Sequence, residues 1–191
     1  MKKTNDSSKP VVRSPKSVVH IYTGDGKGKT TAAMGLALRA CGAKKRVAIL
    51  QFMKKGDSSE IKAIKKYKLP IDVFTFGIGF CGILGDKKTK SEHQKAAEKG
   101  FKKAELIIKS NKYDLIILDE INVAIDLGLL DIDNVIDLLQ KAESEKQKVD
   151  IVLTGRNAQP KLKKIADLIS VIKKDKHYFD KNIPARKGIE F

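Results

Sequence analysis

Apolar residues fall along this chain in short runs separated by amphipathic stretches, and that rhythm predicts strands and helices in alternation. Val18-Val19-His20-Ile21-Tyr22 is a compact β-branched run with no in-and-out alternation, the pattern of a strand buried on both faces. Further strands are predicted at Val47 to Phe52, Ile71 to Phe76, Tyr113 to Glu120, Val149 to Thr154 and Leu168 to Ile172. Between them, Ala32, Ala33, Leu36, Ala37, Ala40 and Cys41 predict a helix that is apolar over most of its circumference and capped by Gly42 in a left-handed turn. Ser58 or Ser59 is expected to open a short helix that buries Ile61 and Ile64. Ala97, Phe101, Ala104 and Ile108 recur at spacings of four, three and four, predicting a long helix over about 89–110 with a solvated, lysine-studded face. Helices are also expected near 132–143 and 158–167. Alternating strands and helices with short connections make a mostly parallel sheet with helices on both faces. In such a sheet, ligands bind at the carboxyl ends of the strands.

The loop after the first strand carries the chemistry. Thr23-Gly24-Asp25-Gly26-Lys27-Gly28-Lys29-Thr30-Thr31 lies between a strand and a helix, the context that makes a phosphate-binding loop. Glycines let backbone N–H groups turn toward phosphate oxygens, and the helix that follows offers its unpaired first amides. Lys29 supplies an ammonium for the phosphates, and the Thr30 hydroxyl is a candidate ligand of Mg²⁺. One position departs from the usual pattern: Thr23 stands where a glycine is expected. The expected fold is accordingly α/β and P-loop NTPase-like (RecA-like).

Asp119-Glu120, at the end of an apolar run, reads as a Walker B-like strand end able to hold Mg²⁺, and the second acid could instead orient a water. Arg156 follows another strand and is a candidate phosphate contact. Gly77-Ile78-Gly79-Phe80-Cys81-Gly82 spells a dinucleotide fingerprint but lacks the helix that should follow, so a second nucleotide site is rejected. That loop is apolar where the rim of the site belongs, which fits either a loop packed on its own domain or a wall for a bulky ligand beside ATP. Among the histidines, His20 is expected in the core, His93 on a solvated helix face, and His177 in a loop that could reach the site.

Composition narrows the class. The chain has 191 residues, enough for one domain over 18–191 preceded by a flexible basic tail over 1–17. No apolar run approaches the roughly 18 residues that span a bilayer, and no secretory h-region follows Met1. Cys41 and Cys81 lie apart without neighbouring His or Cys in sequence, which argues for a reducing, cytoplasmic setting and against a metal cluster. The net charge of +16 would attract polyanions, but the excess is mostly lysine on helices, with no Trp and 6% aromatic residues. Few stacking platforms remain, which argues against a nucleic-acid partner.

Taken together, Thr23 to Ala33, Val47 to Lys54, Leu118-Asp119-Glu120, Thr154-Gly155-Arg156-Asn157 and the segment 176–191 resemble the phosphate-loop type of ATP:corrinoid adenosyltransferase, the cob(I)alamin adenosyltransferase family. The resemblance covers residue 18 to the C-terminus, and a leading Thr is among its features. It implies that a Co(I) corrinoid attacks the 5′ carbon of ATP and that inorganic triphosphate leaves. Lys29 would then stabilise a leaving group, and Thr30 with Glu120 would hold Mg²⁺. It also implies an apolar corrinoid pocket, in which Phe80 matches a family aromatic while Gly82 stands in place of a family Trp, with Phe76, Ile83 and Leu84 as candidate replacements. A homodimer and a flavoprotein-type electron donor are further implications. An ordinary phosphate-loop ATPase or kinase, and a RecA-like nucleic-acid-binding ATPase, are the competing readings.

Overall fold

Six parallel strands form one sheet in the order β3-β2-β4-β5-β1-β6 in this computed structural model, which describes residues 17–56, 58–79, 81–82, 86–144 and 148–190. The strands are β1 (Val18–Thr23), β2 (Val47–Gln51), β3 (Ile71–Thr75), β4 (Leu115–Asp119), β5 (Asp150–Thr154) and β6 (Leu168–Val171). The helices are α1 (Lys29–Gly42), α2 (Ser59–Lys66), α3 (Lys90–Lys109), α4 (Ile121–Asp126), α5 (Ile132–Ser144) and α6 (Pro160–Ile165), with a 3₁₀ turn at Tyr178–Lys181.

The central strands bury both faces, as their unbroken apolar sequences require. Ile49, Leu115, Ile117 and Val152 pack against Ala33 and Ala37 of α1 and Ile61 and Ile64 of α2. The alternate residues Leu50, Ile116, Leu118, Ile151 and Leu153 face Ala97 and Ala104 of α3 and Val135 and Leu139 of α5. This is the three-layer arrangement expected from sequence, with strict period-two sorting of strand side chains.

Local chemistry corrects several boundaries. Gly42 is the last residue of α1 and not a left-handed cap; Ala43 follows with φ −86°, and the left-handed residue is Lys44 at φ 59°. Only Ala33, Ala37 and Lys29 of α1 are buried, so its apolar stripe is narrower than the sequence suggests. Thr89 and Glu92 form a reciprocal capping box that fixes the start of α3. Helix α4, which periodicity did not single out, begins directly after β4 because Glu120 turns the chain through a left-handed conformation at φ 63°. The tail over 1–16 lies outside the described residues.

Candidate active site

Sheet order decides what the phosphate loop meets. Strand β5 lies between β1 and β4, pairing with both in register, so the loop and the Asp119-Glu120 end are separated by one strand. Helix α1 bridges the gap. Thr30, in its first turn, donates its hydroxyl to Asp119 Oδ1 at 2.8 Å. Thr154, at the end of β5, donates to the same oxygen at 2.8 Å and accepts the Glu120 amide at 2.9 Å. Gln51 sits opposite Asp119 in the β2–β4 register and donates to Oδ2 at 3.1 Å. Asp119 is fully buried and held by neutral donors on three elements.

A positive charge completes this cluster. The Lys54 ammonium lies 3.1 Å from Thr30 Oγ1 and 3.3 Å from Asp119 Oδ2. A cation therefore already stands beside a hydroxyl and a carboxylate, both hard oxygen donors of the kind that suits Mg²⁺. Glu120 is close by and largely desolvated. Burial, and secondarily the Asp119 charge, raise its carboxyl above the ordinary range, with Lys54, Lys29 and Arg156 opposing.

The loop itself is shaped by the chain that follows β6. The Gly26 amide donates to the Ile172 carbonyl at 2.8 Å, and the Lys174 amide donates to Asp25 Oδ1 at 3.1 Å. That amide, more than any nearby charge, lowers the Asp25 carboxyl below its usual range. A Cβ on Gly24 would come within 2.3 Å of the Ile172 carbonyl oxygen, and one on Gly26 within 2.6 Å of the Lys173 carbonyl oxygen. Both glycines answer a packing demand, Gly24 being held also at φ 110°, while Gly28 has open space and needs its freedom for φ 124°. Thr23 is buried, and its hydroxyl accepts the Ala158 amide at 3.3 Å, which explains why a side chain is used where a glycine is usual. Lys29 folds back to donate to the Gly24 and Gly26 carbonyls at 2.8 and 2.7 Å, with desolvation lowering its pKa.

A cavity of about 1050 Å³ opens over the loop. Lys27, Lys29, Arg156 and Lys174 make one side basic, and Met34, Met53, Val123 and Leu127 supply apolar wall. Asp25, Gly26, Gly28, Thr30, Thr31 and Glu120 also line it. Residues 177–190 close one side: Lys27 Nζ pairs with Glu190 at 3.4 Å, and Phe179 and Ile189 line the space.

Comparison with known proteins fits this geometry. Residues 15–191 match the family described as ATP:corrinoid adenosyltransferase BtuR/CobO/CobP. The chain belongs to this family. It is 33% identical over 178 residues to a corrinoid adenosyltransferase from Sinorhizobium sp, covering 92% of this chain and 81% of the relative. A corrinoid adenosyltransferase from Pseudomonas aeruginosa is 31% identical, covering 94% and 86% of the two chains. Among solved structures, the flagellar accessory protein FlaH from Methanocaldococcus jannaschii superposes with a TM-score of 0.55 at 13% identity, over 81% of this chain and 70% of that one. That likeness concerns the fold alone.

Most of the family residues anticipated from sequence converge here: the loop from Asp25 to Thr31, Glu120 and Arg156 share the cavity, and Asp119 lies beneath it bonded to Thr30. Phe80, Ile83 and Leu84 lie outside the described residues. Phe76, a candidate for the missing family Trp, packs under α3, its ring 3.1 Å from where a Cβ on Gly100 would sit. Sequence reading missed Gln51, Lys54 and Thr154 as partners of Asp119, because only sheet order makes them neighbours. It also misread His93, which is buried at 3% exposure and bonded to Asp86 at 3.0 Å.

Proposed function

We propose that this adenosyltransferase moves the 5′-deoxyadenosyl group of ATP onto the cobalt of a Co(I) corrinoid and releases inorganic triphosphate, in the synthesis or salvage of adenosylcobalamin. The observation that carries the reading is one cavity of about 1050 Å³ lined both by the phosphate loop and by apolar side chains. The Co(I) lone pair forms the Co–C bond, the C5′–O bond breaks, and its electron pair leaves with triphosphate, so cobalt ends as Co(III). Co(I) is itself a strong nucleophile, and the step requires no general base.

The chain's part is to bind and to stabilise charge. Lys29 exchanges its two loop carbonyls for phosphate oxygens, joined by backbone amides of Lys27 to Thr31 and by the Arg156 guanidinium. Thr30, Asp119 and Glu120 are the residues that would hold Mg²⁺, and the Lys54 ammonium in that oxygen set supports the fit. When bound, Mg²⁺ supplies positive charge to the departing triphosphate. Met34, Met53, Val123 and Leu127, with Phe80 by family resemblance, would face the corrinoid. No described helix is long and apolar enough to cross a membrane. A flavoprotein-type donor would deliver the electron that makes Co(I). The exposed apolar edge strand β6 favours a homodimer, with Leu168 and Ile169 each 41% exposed.

The test is anaerobic incubation with ATP, Mg²⁺, a corrinoid and a strong reductant. Conversion to the light-sensitive alkylcobalt spectrum, matched by triphosphate, is expected. Orthophosphate release without alkylation would overturn the reading in favour of an ATPase.

A further inference from the structure

The sequence offered no metal cluster, yet the fold assembles three ligand-type side chains, none of them part of the phosphate loop. Cys81, Asp86 and His93 each bring one donor atom within 4.8 Å of the other two. Asp86 Oδ2 lies 3.0 Å from His93 Nε2. The same carboxylate accepts the Gly82 amide at 3.0 Å, and its Oδ1 accepts the Lys88 amide at 3.0 Å. These two amides hold it in place. His93 is 3% exposed, and Cys81 packs against the main core while also lining the large cavity.

A His–Asp hydrogen bond alone would account for two of these groups. It gives no reason for a thiol within reach of both. A thiolate, an imidazole and a carboxylate form a borderline-soft set, the donors that zinc takes and magnesium does not. Zinc bonds of about 2.0–2.3 Å at tetrahedral angles put donors about 3.2–3.8 Å apart. The His–Asp separation is nearly there already, and the remaining closure is about 1 Å or slightly more, within reach of side-chain rotation. The Gly82 and Lys88 amides bonded to Asp86 are the outer contacts that orient a metal-binding carboxylate.

We propose that Cys81, Asp86 and His93 bind one divalent ion of the zinc class. Three protein ligands leave a fourth position for water. Cys81 and Asp86 lie in the loop and His93 in the second turn of α3, so the ion fastens the loop to the helix. That loop is the one in which Gly82 replaces a family Trp. Under the adenosyltransferase reading, the clip stiffens by coordination the loop expected to wall the corrinoid. Ion binding itself does not depend on that reading.

The experiment uses the full chain, free of corrinoid and stripped with a chelator, and titrates it with Co²⁺. A thiolate-to-cobalt charge-transfer band saturating at one equivalent is expected, bleached by one equivalent of Zn²⁺. Cys81→Ser should abolish the band and Cys41→Ser should keep it. Asp86→Asn and His93→Gln should each weaken binding at least about tenfold. The ATP-induced rise in melting temperature, measured on each variant, reports that it is folded. No band in the folded wild type, or a band that survives Cys81→Ser, overturns the proposal. Zinc-edge X-ray absorption of the wild type needs no variant: one sulfur with nitrogen or oxygen neighbours is expected, and a shell without sulfur overturns it. Failure of adenosyl transfer in the anaerobic assay would leave these readouts untouched.

Discussion

Asp119 and Glu120 are adjacent in sequence yet sit in different physical settings. Asp119 is buried under hydrogen bonds from Thr30, Thr154 and Gln51, while Glu120 is desolvated with its carboxyl pKa raised. Between the ordinary carboxylate range and that raised value, the folded chain holds a proton that the unfolded chain has lost. Ligand-free stability should therefore fall as pH rises through this window and stay lower above it. Glu120→Gln removes the effect. Its ligand-free melting temperature should exceed the wild type at neutral pH by roughly 2–4 °C per kcal/mol recovered, and the difference should vanish below the carboxylate range. Its Mg²⁺-dependent activity should drop. Lys29→Ala should lower kcat/KM for ATP by about 10²–10³-fold, read from alkylcorrinoid formation, since it removes a charged donor from the leaving phosphates. The identity of the two acids was legible because an apolar strand ending in carboxylates is a local pattern. Their division of labour was not, because Gln51 and Thr154 belong to other strands.

At the scale of elements, the phosphate loop is half of a contact whose other half is the chain from Ile172 to Lys174. Gly26→Ala would drive a methyl group to 2.6 Å from the Lys173 carbonyl oxygen. A loss of about 1–3 kcal/mol is expected from overpacking, checked by thermal denaturation, together with weaker ATP binding by calorimetry. Strands and long helices were readable from periodicity, since burial on one or both faces leaves its mark residue by residue. Helix α4 was not, because it is six residues long and is launched by a left-handed Glu120. The wall made by residues 177–190 was equally hidden. It has no periodicity; the segment 176–191 entered only through its family resemblance, and His177 alone was given a place near the site. The closeness of Cys81 to His93 was missed for a related reason: they lie twelve residues apart, a spacing that fits no common metal signature.

Across the whole molecule, the sheet ends in an exposed strand. In β6, Leu168, Ile169 and Val171 are 41, 41 and 54% exposed, and its outer edge is unpaired within the described sheet. If the proposed homodimer uses this edge, Ile169→Lys should shift sedimentation from dimer to monomer while the melting temperature changes little. The same topology has a temporal side. Strand β1 precedes the other described strands in the chain and so leaves a ribosome before them, yet its two neighbours are β5 at Asp150–Thr154 and β6 at Leu168–Val171. The nascent chain thus carries its nucleotide signature through most of synthesis with nothing to pair it, and that long-range closure is the slow kind. Affinity for ATP should switch on only once the last strand has emerged. A fluorescent nucleotide added to stalled translation intermediates would then time the completion of the sheet.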